Sequence, residues 1–88
     1  MPTISRFFGI VITMNYSEHP PPHFHVRYGE YRALVSIDEL RVLRGRLPPP
    51  VQGLVVEWAV QHLPELRRNW QLARSHRELE PIAPLEQP

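Results

Sequence analysis

Eighty-eight residues, 42% of them apolar and 22% charged, are enough for one modest hydrophobic core and exclude a second domain. The net charge of +1 argues against a partner recognised by overall charge, and the absence of cysteine removes disulfides, thiolate catalysis and thiolate metal sites. Histidine and carboxylate remain as the strong ligands. All ten basic residues are arginine, a side chain that grips phosphate or carboxylate with two parallel bonds, although base composition also replaces lysine wholesale. The arginines fall within the first 77 residues, and the last eleven carry only glutamates as charged groups, so a basic body precedes an acidic tail. The longest apolar run, Phe7 to Met14 broken by Gly9 and Thr13, is too short for a bilayer, and no basic segment introduces a signal sequence. The expectation is a cytoplasmic protein.

From Ile4 to Tyr16, apolar residues at alternate positions predict a strand with Ile4, Phe8, Ile10, Ile12 and Met14 on its buried face. Phe7, Val11 and the permissive Gly9 suggest that the odd face is also partly covered, with Gly9 marking a bulge or a close approach by another element. Ser17 to Pro22 then reads as a loop ending in a polyproline strut at Pro20–Pro22, because each proline fixes its own φ and extends the residue before it.

Alternation resumes at His23 to Tyr28. The pair Gly29-Glu30 reads as a type II′ turn returning Tyr31 to Ile37 antiparallel. Counting outwards places Arg27 opposite Arg32, Val26 opposite Ala33, His25 opposite Leu34, Phe24 opposite Val35 and His23 opposite Ser36. After a turn at Asp38-Glu39, Leu40 to Leu47 forms a short strand weakened by Gly45. Pro48–Pro50 ends the sheet and starts a helix, whose stripe runs Val51, Leu54, Val55, Trp58, Ala59, His62 and Leu63. Pro64 predicts a break near His62-Leu63 and a second helix to about Ser75, with Leu66, Trp70 and Ala73 inward. These elements predict an α+β domain over 1–76: a small antiparallel sheet of three to four strands with two helices packed on one face, His23, His25, Arg27 and Arg32 emerging on the other. Residues 77–88 form an acidic, proline-rich tail, extended or disordered.

The stretch Glu18-His19-Pro20-Pro21-Pro22-His23-Phe24-His25 carries three of the five histidines and the candidate chemistry. Histidines two apart on a strand share a face, and His19 from the loop completes a three-histidine set for zinc or another divalent metal with one position open to water. Glu18 and Asp38 are available as acceptors that would orient the ligating rings. A metal-free alternative is acid–base work on a phosphodiester by His19, His23 and His25, with Arg27, Arg32 and Arg41 as anion or nucleic-acid contacts. Two arginines directly across a strand pair repel each other, which an anion between them would relieve. A plainer reading makes the same groups solvated polar residues on an exposed face. His62 suits a core or partner-facing role and His76 a helix end, and Trp58 and Trp70 suit core anchors. A third class is protein binding through the sheet edge or the tail.

The opening Met-Pro-Thr-Ile-Ser-Arg-Phe-Phe-Gly-Ile-Val-Ile, the block His19 to Val26, Gly29-Glu30-Tyr31, Ser36-Ile37-Asp38, Glu57-Trp58-Ala59 and Asn69-Trp70-Gln71-Leu72-Ala73 resemble a small bacterial family, domain of unknown function four-one-six-zero. Its hallmark of an acidic residue, His, any residue, then Pro-Pro-His-Phe-His-Val maps onto Glu18, His19, Pro21, Pro22, His23, Phe24, His25 and Val26, with Pro20 at the variable place. The resemblance implies a toxin–antitoxin-like gene pair, a small protein partner encoded by the neighbouring gene, and RNA as a target. The functional expectation is thus a toxin-like component with His/Arg-based activity on RNA or another phosphate-containing substrate, a nuclease or other phosphodiester hydrolase if it is an enzyme. The alternatives are a non-catalytic protein-binding module and a histidine-based metal-binding domain. A homo-oligomer is compatible with each, a membrane partner with none.

Overall fold

A computed structural model describes residues 2–86; Met1 and the last two positions of the expected tail lie outside the described residues. The chain is an α+β domain. Five strands, β1 (Thr3–Phe7), β2 (Ile10–Thr13), β3 (His23–Tyr28), β4 (Tyr31–Ser36) and β5 (Val42–Gly45), are followed by helices α1 (Pro49–Gln61) and α2 (Leu63–Arg74). The strands form one antiparallel sheet in the order β1-β2-β3-β4-β5. Five strands rather than three to four result because the single strand expected from Ile4 to Tyr16 is a hairpin. Phe8 and Gly9 have φ of 51° and 79°, the two positive values of a type I′ turn. The turn shifts the buried parity: Ser5 and Phe7 pair with Ile12 and Ile10, all four are buried, and Phe8 is exposed.

The β3–β4 hairpin has the register counted from its turn: Tyr28 faces Tyr31, Arg27 Arg32, Val26 Ala33, His25 Leu34, Phe24 Val35 and His23 Ser36. Gly29 takes φ 57° at the first turn position, which a glycine adopts without steric cost. In β5, Gly45 does more than weaken a strand. Its φ is 78°, and a Cβ there would stand 2.1 Å from the Arg32 carbonyl oxygen. Only glycine lets β5 lie this close to β4, where Arg46 N–H donates to that same carbonyl at 3.0 Å.

Pro48 precedes α1, and its carbonyl accepts from Gln52 N–H at 2.9 Å, so the proline run begins the helix where missing N–H groups cost least. His62 ends α1 and begins α2, the break that Pro64 predicts. The core joins Ile10, Ile12, Phe24, Val26, Val35 and Ile37 of the sheet and its margins to Val55, Trp58, Ala59, Leu66 and Ala73 of the helices. The Trp58 ring lies 5.4 Å from that of Phe7 and 5.9 Å from that of Phe24.

Beyond the helices, residues 77–86 contain neither helix nor strand but run across the body. Ile82 and Leu85 are buried. Ile82 N–H donates to Ile4 at 2.8 Å, Trp58 Nε1 to Ala83 O at 2.8 Å, and the Asn69 side chain exchanges two 2.8 Å bonds with the Glu80 backbone. These bonds satisfy the polar atoms that Trp58 and Asn69 bring into the core.

Candidate functional site

β3 places alternate side chains on opposite sides of the sheet. Phe24 and Val26 enter the core, and His23, His25 and Arg27 take the other side. Along that side exposure rises from His23, 6% exposed, through half-buried His25 to exposed Arg27. His23 therefore does not emerge on an open face as expected. The Trp70 ring of α2 lies 5.2 Å from its ring, and its Nδ1 donates to the Pro21 carbonyl at 2.8 Å.

That bond has a chemical consequence. With its proton on Nδ1, neutral His23 carries a lone pair on Nε2, an atom buried without a hydrogen-bond partner among the described residues. It lies 3.3 Å from a carboxylate oxygen of Glu18, without the alignment of a hydrogen bond. The other Glu18 oxygen accepts a close hydrogen bond from His25 Nε2. The two imidazole rings stand edge to face at 5.5 Å. Asn15 Nδ2 lies 3.4 Å from His25 Nε2. Burial pushes the Glu18 carboxyl pKa up, but the hydrogen bond from His25, the charges of His25 and His23 and a bond from Asn15 prevail and hold it below its ordinary value. Glu18 is thus a carboxylate bridging two histidines.

Glu18 reaches this position because its loop is pinned at the base. Ser17 has φ 58°, and its hydroxyl lies 2.8 Å from His76 Nε2. His76 in turn stacks on Tyr16 at 6.4 Å. His76 itself, at φ 57°, closes α2: its N–H donates to Ala73 and that of Arg77 to Leu72, a Schellman end that usually employs glycine. The Pro20–Pro21 bond is cis, so the proline run bends where a continuous polyproline strut was expected. His19 lies exposed beyond Glu18. Glu18, His23 and His25 each offer one ligand atom within 4.8 Å of the others; His19 is not in the group.

Two clefts meet at this cluster. One, of about 340 Å³, lies on the open sheet face and is lined by Thr13, His25, Arg27, Arg32, Leu34 and Arg44 with adjoining backbone. The other, of about 420 Å³, lies beneath the loop against Glu18, His19, His23, Leu43 and Arg44. Leu34 and Arg44 line both. Arg27 and Arg32 face each other across the strand pair as the register requires. Among the described residues neither they nor Arg44 form an ion pair, whereas the other arginine expected to contact an anion, Arg41, is held by Glu39 at 2.7 Å. Arg44 was not foreseen at the site. It faces Leu34, and a bulge between Leu34 and Val35 sets β5 in a register that alternation alone does not specify.

A family model described as Domain of unknown function (DUF4160) matches residues 9–71, and the chain belongs to that family. The match spans β2 to β5, α1 and most of α2, including the whole Glu18–His25 stretch. No curated protein and no solved structure matches the chain.

Proposed function

We propose that this DUF4160 member engages the phosphodiester backbone of single-stranded RNA on the open face of its sheet and cleaves it there, as the toxin-like half of a cytoplasmic two-gene module with a small protein partner. The observation that carries this reading is the 340 Å³ cleft: Arg27, Arg32 and Arg44 line it with His25, and no carboxylate is among its lining residues. Its volume is at the lower end of the roughly 300–1,000 Å³ of ligand sites. An anion between Arg27 and Arg32 converts a repulsive cross-strand pair into a clamp.

The Glu18–His23–His25 cluster adjoins the clamp. In the chain alone, Nε2 of His25 donates to Glu18, which orients the ring and leaves Nδ1 as the lone-pair nitrogen of the neutral imidazole, the form that accepts a proton from an attacking oxygen. The ribose 2′-oxygen gives its proton to His25 as it bonds to the adjacent phosphorus, the bond to the 5′-oxygen breaks with that oxygen protonated by water, and the arginines stabilise the charge that develops on the phosphoryl oxygens. No helix among the described residues is long and apolar enough to cross a membrane, which is compatible with the cytoplasmic placement.

The test is binding and cleavage of an end-labelled single-stranded RNA at several salt concentrations. Wild-type protein is expected to bind with a salt slope reflecting about three phosphate contacts, a fall in log K of roughly 2 per decade of salt, and to shorten the RNA. His25→Ala should retain binding and lose cleavage. Binding without cleavage in both proteins would reduce the reading to a nucleic-acid-binding module, and no salt-dependent binding would end it.

A further inference from the structure

The Glu18–His23–His25 cluster shares His25 with the arginine-lined cleft, and its least explained atom is Nε2 of His23. A buried imidazole nitrogen without a partner is costly, and here the bond from Nδ1 to the Pro21 carbonyl turns the Nε2 lone pair inwards. It faces a carboxylate oxygen at 3.3 Å, lone pair towards lone pair, an arrangement that is unfavourable unless a proton or another cation stands between them. The Nδ1 proton goes to Pro21 and the His25 Nε2 proton to the other Glu18 oxygen, so a divalent cation between His23 Nε2 and Glu18 would meet a lone pair from each.

We propose that Glu18, His23 and His25 form a mononuclear binding site for a divalent transition-metal ion of the zinc class, held by two imidazole nitrogens and one carboxylate. Three features converge on it. The ligand set is the two-histidine, one-carboxylate combination of catalytic zinc centres, which keep a position free for water or substrate. Bonds of 2.0–2.1 Å to a tetrahedral ion separate neighbouring ligand atoms by roughly 3.3 Å, and the His23 Nε2 to Glu18 distance is 3.3 Å, with all three ligand atoms within 4.8 Å. Finally, the second nitrogen of His23 already donates to a backbone carbonyl, the support that ligating histidines characteristically have and that fixes tautomer and ring direction.

Ligation through Nε2 of both rings would put the His25 proton on Nδ1, so the metal-holding form and the metal-free proton-accepting form of His25 are alternative states of the site. His19, the first histidine of the family motif, is not in this ligand group. Both clefts border the cluster, and Arg44 lines each of them. The site rests on its ligand geometry alone and stands whether or not RNA is the substrate.

The experiment is titration of the full chain, stripped of metal by chelator, with zinc alone in competition with a chromogenic chelator, followed by elemental analysis of the desalted protein. One zinc per chain is expected. Glu18→Gln and His25→Ala should each weaken zinc binding by at least about 100-fold, the upper end of what loss of an outer-shell partner costs. His19→Ala and Arg27→Ala should leave it within about twofold. Both ligand positions are partly solvated, so these variants should fold, which far-UV circular dichroism checks. If either ligand variant unfolds, nitrogen chemical shifts of the His23 and His25 rings in the wild-type chain decide instead: zinc should move both Nε2 signals and leave His19 unchanged. Substoichiometric zinc, equal affinity in Glu18→Gln and His25→Ala, or ring signals that ignore zinc would overturn the assignment.

Discussion

The two sides of β3 make different uses of the same six residues. On one, Phe24 and Val26 are enclosed by sheet neighbours and α1, with ring contacts to Trp58 and no polar atom to satisfy. On the other, His23, His25 and Arg27 run from buried to exposed, each with polar atoms that need a partner, and the surroundings offered are a carboxylate, a carbonyl and an arginine-lined cleft. Burying apolar area stabilises the chain without directing any chemistry. Assembling unlike charges and lone pairs costs desolvation but creates groups able to hold an ion. The first side should therefore govern stability and the second should govern binding, and variants can separate the two.

The largest effect is expected from Trp58→Ala. This ring is fully buried against Phe7 and Phe24 and donates to Ala83. Its loss should cost about 3–5 kcal/mol, a large part of the roughly 4–13 kcal/mol expected for a chain of this length. Chemical denaturation measures it, and a cost under 1 kcal/mol would show that the helix-covered side is not the main source of stability. Next is Gly45→Ala. A methyl group 2.1 Å from the Arg32 carbonyl oxygen, on a residue at φ 78°, should cost more than the roughly 1–3 kcal/mol of a strained φ alone. Hydrogen exchange should report the damage at the β4–β5 pairing first.

On the site side the signs differ. Arg27→Ala removes one of two facing like charges, so stability should stay level or rise by no more than about 1 kcal/mol. RNA affinity should fall, with the salt slope shallower by about 0.7. A stability loss with unchanged binding would reverse the roles assigned to the two sides. The smallest effect is expected from His76→Gly. Glycine suits the positive φ at a helix end, which offsets loss of the Ser17 contact, so global stability should shift by less than about 1 kcal/mol. Amide exchange at Ser17 and Glu18 should nevertheless accelerate, because the loop holding Glu18 has lost its anchor.

These contrasts also show what the sequence could convey. The β3–β4 register was legible residue by residue because Gly29-Glu30 supplies a strong turn signal between two alternating runs. The β1–β2 hairpin was not, since its turn places Phe8, a poor residue for positive φ, beside Gly9 and so reads as a continuous strand. Arg6 was the available clue: continuous alternation would have put it on the apolar face, and the turn makes that unnecessary. The pair His23 and His25 followed from strand period. Glu18 was visible only as an acceptor for the rings because a loop has no periodicity from which to infer direction, and its course depends on the distant contact between Ser17 and His76. For the same reason His19 could be placed near the site but not excluded from the ligand group. Arg44 entered through the β4–β5 bulge, whereas Arg41, equally near in sequence, went to Glu39. The tail's course depends on Trp58 and Asn69, whose polar atoms look outward from the core to its backbone, a pairing no local pattern records.

The most direct test of this division is a titration of isotope-labelled protein with a short single-stranded RNA, followed by NMR at backbone amides and at the histidine rings. The account predicts shifts concentrated at Thr13, His25, Arg27, Arg32, Leu34 and Arg44, with Val55, Trp58 and Ala59 unmoved. Shifts centred on the exposed surface of the helices, or none at saturating RNA, would contradict it.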